Sequence, residues 1–574
     1  RRQRQMCIRD SLSGVTSHVS HRNLRAAKKA RKPATNLTLV FAGFSLRSFP
    51  PRFATRFPSS PGRTSPHRAA GSVAAATHDR YYGHDAYQTD TRDHTMRILQ
   101  VASEAVPWAK SGGLADVVGA LSSHLVAAGH DVALALPLYR DLNAAGPEVD
   151  ATAVEVSSGP GPAFSVRSSM AAAGFEVWWV DAPDLFDRAG LYGTADGDYP
   201  DNALRFATLV RGALGAARAF DWRPDVVHAH DWQAALAPVF VRDGFEGGAA
   251  PATVLTIHNM AYQGSFPSIA ATAAGLPDSD VLEQGTGVSL LKGGILAADR
   301  VTTVSPRYAH EIGLPRFGFG LDRWIANLDP PVTGILNGID TETWNPEADP
   351  YLAQNYGLTD MSGKRACKEA LQAEVDLPAD PDTPLFGMVS RLVGQKGLSL
   401  VDQLGDDLVD RDAQFVFLGT GESRYELLVA ELAARHSNVA ARLEFSEALA
   451  HRIEAGADFF LMPSEFEPCG LNQMISQRYG TPPIVHRTGG LADSVTHASP
   501  TALEAGEATG VVFDHFDAPA LSWAVDFARD LYSEPSLLDG VRRAGMKTDF
   551  SWRRSGLEYE QLYRQAIEDT NGAK

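Results

Sequence analysis

The chain has 574 residues, 44% hydrophobic and 21% charged, with a formal charge of −17. That is globular composition at a length that suggests two or three domains; its acidity excludes a general nucleic-acid binder, which would show a basic face. No apolar run reaches the roughly 18–20 residues that a membrane-spanning helix needs, and three cysteines (Cys7, Cys367, Cys469) form neither a disulfide framework nor metal-ligand spacing, which fits a reducing compartment.

Charge is divided unevenly along the chain. Residues 1–95 hold 17 Lys and Arg against 5 Asp and no Glu, a balance of +12, and the remainder carries −29. A basic, acid-poor leader resembles an organelle transit peptide, which would place the protein in a plastid. The preferred reading is translated upstream sequence or a disordered tail with the native start at Met96, because a strand begins immediately after it. Residues 1–95 are then outside the fold, and the body is expected in the cytoplasm.

Arg97–Ala102 reads as the first strand, and Lys110-Ser111-Gly112-Gly113 ends the loop after it. Leu114, Val117, Val118, Leu121, Leu125 and Val126 follow at the steps of three and four that mark an amphipathic helix, with Gly129 placed to end it. Asp131–Tyr139 is the next strand. Further apolar runs predict strands at Glu176–Val180, Asp225–His230, Thr253–His258, Arg300–Val304, Val332–Leu336, Leu385–Ser390, Gln414–Leu418, Arg442–Phe445, Phe459–Met462 and Pro483–His486, most of them separated by helix-length segments. That alternation is α/β with parallel sheets. There are too many strands for one doubly wound sheet, so two such domains are expected, 96–337 and 338–555, divided at the turn-rich Asn337-Gly338-Ile339-Asp340.

Chemistry-bearing residues gather at strand ends. Glu467, in Pro463-Ser464-Glu465-Phe466-Glu467-Pro468-Cys469-Gly470-Leu471, stands between an apolar run and a helix. Ligands bind at the carboxyl ends of parallel strands, and helix amino termini there offer free N–H groups to anions. His228-Ala229-His230-Asp231, His258-Asn259, Ser390-Arg391 and Gly419-Thr420-Gly421-Glu422 occupy the same topological position. A single histidine is more often a satisfied structural group than a ligand, yet burying several unpartnered polar groups would cost about 1–3 kcal/mol each. Arg391 and Lys396, on one loop, join a planar fork to a flexible ammonium and suit a diphosphate; surface salt-bridging is the plainer alternative. Gly112 and Gly113 let backbone approach a ligand closely beside Lys110, or simply make a strand-to-helix turn.

There is no Gly-x-Gly-x-x-Gly after the first strand and no Walker motif. None of these strand-end motifs contains an Asp-x-Asp to hold a metal, which leaves leaving-group charge to Arg391, Lys396 and helix-terminal N–H groups. Gly-Gly-Leu-Ala-Asp occurs at Gly112–Asp116 and again at Gly489–Asp493, read as one glycine-loop device on both sides of a cleft. Cys469 lacks a His-Asp partnership and is expected to pack rather than react. Trp178-Trp179 suggests a carbohydrate platform, but alternate strand positions face opposite ways, so at least one of the two belongs to the core.

Lys110-Ser111-Gly112-Gly113-Leu114, His258-Asn259-Met260-Ala261-Tyr262-Gln263-Gly264, Ser390-Arg391 with Gln395-Lys396-Gly397, and Glu467-Pro468-Cys469-Gly470-Leu471 together resemble bacterial glycogen synthase and plant starch synthase. The likeness runs from about Arg97 to Tyr563. These are retaining glucosyltransferases of glycosyltransferase family 5, with two Rossmann-like domains facing across a cleft, the GT-B arrangement. The resemblance implies ADP-glucose as donor, the non-reducing end of an α-1,4-glucan (glycogen or starch) as acceptor, and no metal or other cofactor. It implies that Lys110, Gly112, Gly113 and Asp116 bind the donor from the first domain. Arg391 and Lys396 would neutralise the diphosphate, while Glu467 with Cys469, Gly470 and Leu471 grips the glucose. The main-chain carbonyl of His258 would lie near the anomeric carbon, Asp231 and Asn259 would face the sugars, and Phe445 would stack on adenine. By the same likeness residues 556–574 form a helix returning to the first domain, and the oligomeric state stays open. Alternatives are another nucleotide-sugar transferase of this architecture, using UDP-glucose or a small acceptor, and a non-catalytic glucan-binding protein.

Four positions depart from or qualify the family pattern. Ser111 stands where Thr is common, and Phe445 where Tyr often stands. Glu465 replaces a common Arg and would raise the pKa of Glu467 by like-charge repulsion if both face the cleft. Ile475 lies where more distant relatives carry a second glutamate, which fits the glycogen synthase branch.

Overall fold

The structure, a computed structural model, describes residues 95–572 apart from 141, 143–152, 157–158, 195–196, 246–248 and 278–279. The expectations about the basic leader lie outside these residues. Two sheets organise the described chain. The first is built from β1 (Arg97–Val101), β2 (Asp131–Pro137), β3 (Ala153–Val156), β4 (Phe164–Met170), β5 (Glu176–Asp181), β6 (Val226–His230), β7 (Ala252–Ile257), β8 (Arg300–Thr303) and β9 (Thr333–Gly334), in the order β9-β8-β7-β6-β1-β2-β5-β4-β3. Its strands pair in parallel except at β3–β4 and β4–β5. The second contains β10 (Leu385–Val389), β11 (Gln414–Leu418), β12 (Val439–Arg442), β13 (Phe459–Met462), β14 (Pro483–His486) and β15 (Val511–Phe513), all parallel, in the order β12-β11-β10-β13-β14-β15. This is the two-lobed α/β architecture that the alternation of strands and helices implies.

Burial explains why these runs form strands. β6, β7, β11, β13, β14 and β15 are buried at every position, as expected where crossover helices cover both faces of a parallel sheet. Helix α1 (Gly113–Ala127) buries Leu114, Val117, Val118, Leu121 and Leu125. It ends before Gly129, whose φ of +93° suits a residue without a Cβ. In the second lobe Phe386 stacks between Phe415 and Phe459, with ring centroids 5.2 and 5.4 Å away.

Some expectations are corrected. The Arg442–Phe445 strand lies three residues earlier, at Val439–Arg442, where Phe415 to Leu418 pair with it; Phe445 falls in the following loop. The Val332–Leu336 strand shrinks to Thr333–Gly334. Here Gly334 passes so close to Ser305 O that a Cβ would stand 2.3 Å from it. Trp178 and Trp179 are both fully buried. Trp178 donates its indole N–H to Glu176 Oε2 and Trp179 donates to Ser169 Oγ, each at 2.8 Å, so neither is a carbohydrate platform.

The chain crosses between the lobes at two adjacent points. Ile339 N–H donates to Phe550 O at 2.8 Å, and a Cβ on Gly338 would lie 2.8 Å from Trp552 N. The last helix, Trp552–Gly572, then lies along the first lobe: Tyr563 OH is 2.8 Å from His228 Nδ1, and Glu560 lies 3.6 Å from His124 Nε2 and 3.3 Å from His130 Nε2. No described helix is long and apolar enough to cross a membrane.

Candidate active site

Strand order reverses between β1 and β6 in the first sheet and between β10 and β13 in the second. Such a switch opens a crevice beyond the carboxyl ends of the strands, the usual ligand position in open α/β sheets. The Lys110–Gly113 loop follows β1, Asp231 follows β6, Arg391 and Lys396 follow β10, and Glu467 follows β13. Topology therefore delivers the residues singled out by sequence to the two crevices.

In the second lobe two loops are joined. Lys396 Nζ lies 2.6 Å from Glu467 Oε2, and Ser464 Oγ donates to the same oxygen at 3.0 Å. Gln395 Nε2 donates to Phe466 O at 3.1 Å, while Glu465 N–H donates to Gln395 O at 2.9 Å. The joint depends on Gly397, whose φ is +83° and whose Cβ would stand 2.1 Å from Pro463 O. Glu467 is buried and already matched by a cation. Glu465 reaches the exposed Arg316 of the first lobe at 3.6 Å. The Arg391 guanidinium is exposed, and no described group pairs with it.

Cys469 is buried, and burial pushes its thiol up to about 12; it packs and is not poised as a thiolate. Gly470 adopts φ +74° at the turn into the helix Asn472–Arg478, and Leu471 is partly buried at the start of that helix. Phe445 is 91% exposed, with its ring free on the surface of the second lobe.

The first lobe holds its glycine loop through a buried carboxylate. Glu104 accepts hydrogen bonds from Ser111 N–H, from Ser111 Oγ at 2.7 Å and from Tyr192 OH. No motif marks Glu104 or Tyr192; the signal in the sequence is a carboxylate soon after the first strand. Beyond this anchor the loop is open: Lys110 is half-exposed and pairs with Asp116 at 2.7 Å. A Cβ on Gly112 would meet nothing within 4 Å, and one on Gly113 would lie 3.9 Å from Leu471 Cδ1 of the other lobe. The first glycine pair thus faces the Glu467 loop across the cleft.

Asp231 is held at φ +55°, a conformation that side-chain-bearing residues avoid unless their surroundings impose it. Its Oδ1 accepts the N–H groups of His258 at 2.6 Å and Asn259 at 3.3 Å. Asp231 therefore fixes the main chain on which the His258 carbonyl is carried. Asn259 Oδ1 accepts from Ala261 N at 3.0 Å and shapes the same turn. Burial pushes the Asp231 carboxyl up to about 7, with the two N–H bonds opposing it, and holds the His258 imidazole down at about 3, so that ring is neutral. His258 Nε2 lies 3.0 Å from His230 Nδ1, and His230 Nε2 lies 2.6 Å from Gln100 Oε1. His228 and His230 are accordingly buried structural groups. Among the described residues no group of three or more His, Cys, Asp or Glu could hold a metal ion.

The second Gly-Gly-Leu-Ala-Asp stretch behaves differently from its twin. A Cβ on Gly489 would stand 1.9 Å from Glu467 O, and one on Gly490 2.2 Å from Cys469 O. Those glycines let one backbone lie against another, beneath the Glu467 loop. They do not line the cleft, which corrects the expectation of one loop device used on both sides.

Comparison with known proteins agrees with this geometry. Residues 97–327 match the starch synthase catalytic domain family and residues 372–536 match glycosyl transferases group 1. The glycogen synthase of Dechloromonas aromatica is 44% identical over 483 residues, covering 82% of this chain and 99% of that protein. That of Myxococcus xanthus is 44% identical over 487 residues, covering 82% and 100%. Among solved structures, the catalytic domain of starch synthase IV from Arabidopsis thaliana bound to ADP and acarbose superposes with a TM-score of 0.74 at 31% identity, covering 83% of this chain and 100% of that one. Sucrose-phosphate synthase from Thermosynechococcus elongatus shares the fold at 19% identity and a TM-score of 0.54, covering 83% and 100%. The chain belongs to the glycogen synthase and starch synthase family, glucosyltransferases of GT-B architecture.

Proposed function

We propose that this chain lengthens an α-1,4-glucan by transferring glucose from ADP-glucose to its non-reducing end, with retention at the anomeric carbon and release of ADP. The carrying observation is the pair Lys396–Glu467 at 2.6 Å, set beside the unpaired guanidinium of Arg391 at one crevice. Donor binding exchanges that pair for two new contacts. Lys396 and Arg391 take the diphosphate, and Glu467 accepts hydrogen bonds from glucose hydroxyls. The starch synthase IV relative, solved with ADP and acarbose, supports an adenine nucleotide as the leaving group.

No residue in this reading serves as a nucleophile on the sugar. Retention then follows from attack on the face that the nucleotide leaves: the C1–O bond to phosphate breaks, the acceptor oxygen bonds to C1, and the departing phosphate takes the acceptor proton. The His258 carbonyl, fixed through Asp231, stabilises positive charge developing at C1. Arg391 and Lys396 stabilise the negative charge on the leaving diphosphate, the kind of term that supplies about 10²–10³ in rate for each donor. Arg391→Ala or Lys396→Ala should therefore lower kcat by about 10²–10³, and near-normal turnover in either would remove the assignment. The reading includes no metal, so added chelator should leave turnover unchanged. Radiolabelled transfer onto glycogen from ADP-glucose against UDP-glucose tests the donor, with ADP-glucose expected to dominate.

A further inference from the structure

The motif that the proposed reaction leaves unused is the second glycine stretch, and what holds it is a carboxylate from the opposite lobe. The helix Pro306–Glu311 follows β8 in the first lobe, and the helix Gly489–Ser494 follows β14 in the second. Each end-caps the other. Glu311 Oε2 accepts Gly489 N–H at 3.0 Å and Thr488 Oγ1 at 3.3 Å, while Asp493 Oδ2 accepts Arg307 N–H at 2.7 Å. Gly490 N–H in turn donates to Glu467 O and to Pro468 O, both at 3.1 Å, and Ser305 Oγ donates to Pro468 O at 2.8 Å. An unbroken line of hydrogen bonds therefore runs from Glu311 through the Gly489–Gly490 turn to the main chain of Glu467.

Glu311 is 2% exposed. A buried carboxylate is a costly way to join two lobes where an apolar contact would serve. It does what an apolar contact cannot: it accepts N–H groups at the amino terminus of a helix and fixes that turn in one direction. The sheets place Glu311 and Glu467 in different lobes, so the bond ties the setting of Glu467 to the seating of the first lobe.

We propose that Glu311 is a positioning residue, which holds Glu467 at its working place from the opposite lobe by way of Gly489 and Gly490. It touches no substrate. Its effect on turnover rests on the glucosyltransferase reading above; its effect on the turn does not.

Three variants test this. Glu311→Ala removes the acceptor, Glu311→Gln keeps an oxygen that can accept Gly489 N–H, and Arg307→Ala removes a side chain that pairs with Glu311 Oε1 at 2.9 Å while leaving the backbone bond to Asp493. Glu311→Ala should lower kcat by about 10- to 100-fold with ADP affinity changed less than about threefold, since ADP carries no sugar for Glu467 to meet. Glu311→Gln should recover kcat to within about fivefold, and Arg307→Ala should stay within about threefold. Hydrogen exchange in the peptide spanning residues 486–495 should quicken at least about tenfold in Glu311→Ala and remain near wild type in Glu311→Gln.

A lowered Tm with unchanged kcat for the folded Ala variant would make Glu311 mere support and overturn the proposal. So would equal losses of ADP binding and turnover, or unchanged exchange at 486–495. If the wild type transferred no glucose, the functional reading would fail while the exchange result still decided the fate of the turn.

Discussion

Two stretches of this molecule share the letters Gly-Gly-Leu-Ala-Asp and do opposite work. At Gly112–Asp116 the backbone is uncovered: a Cβ on Gly112 would meet nothing within 4 Å, and the aspartate ends on a half-exposed lysine. At Gly489–Asp493 the backbone is walled in. Each glycine there gives up its side chain to another main chain, and the aspartate caps a helix of the other lobe. A missing Cβ can serve a ligand or serve the fold, and only the surroundings decide which. The first loop is left uncovered, as the proposed donor site requires; the second is the floor on which the Glu467 loop rests.

The comparison is most easily broken by adding the missing methyl groups. In Gly489→Ala the new carbon would stand 1.9 Å from Glu467 O at φ +42°, and backbone cannot move aside as a flexible side chain does. A loss of about 3 kcal/mol or more is expected in chemical denaturation, with the turnover of any folded enzyme lowered as the Glu467 loop shifts. Gly112→Ala should change stability by no more than about 0.5 kcal/mol while raising the KM for the nucleotide-sugar donor. Equal stability losses in the two variants would show that the loops do the same work after all.

How much of this was legible in the sequence depends on the range of the interaction. Strands whose residues are buried on both faces, such as Gln414–Leu418, Phe459–Met462 and Pro483–His486, coincide with the expected runs to the residue, because continuous burial leaves a continuous apolar signal. Val439-Ala440-Ala441 carries a weaker one, and the bulkier residues after it drew the expected strand three positions too far. The antiparallel β3 and β4 and the edge strand β15 are absent from the expected runs: β3 and β4 are only half-buried and β15 has three residues. Lys396 and Glu467 were legible as motif members, but their pairing across 71 positions was not. Glu311 reaches Gly489 across 178 positions, and nothing near Glu311 in the chain announces that partner. Local pattern shows which residues gather at strand ends, whereas tertiary contact decides which of them meet.

Burial sharpens the contrast at carboxylates and gives a prediction with a sign. Asp231, enclosed behind the first crevice, has its carboxyl raised from its ordinary 3.8 to about 7 by burial. A raised carboxylate pKa means that the folded state holds the proton more tightly than the unfolded one. Its contribution to stability is fully present below the unfolded value and is lost as pH rises through about 7. Subtracting the stability curve of Asp231→Asn from that of wild type should therefore leave a difference that falls from about pH 4 to about pH 7. A flat or rising difference would mean that the backbone bonds to His258 and Asn259 outweigh the burial. Asp493, also raised mainly by burial, should give a weaker slope of the same sign.

The smallest expected effect lies where the first loop is most open. Lys110 and Asp116 are 2.7 Å apart, but their side chains are 52% and 33% exposed, and pairs in that setting contribute about 0–1 kcal/mol and weaken with salt. Lys110→Ala should then leave the unfolding free energy within about 0.5 kcal/mol, and the shift should shrink further at high ionic strength. On the proposed reading the consequence to measure is in the donor: an ammonium held by so little can be released to a diphosphate at small cost, so KM for the donor should rise by about tenfold, a loss of about 1.4 kcal/mol. A Lys110→Ala enzyme that loses stability and keeps its donor KM would place this lysine with the supporting residues. The first Gly-Gly-Leu-Ala-Asp would then be a second floor.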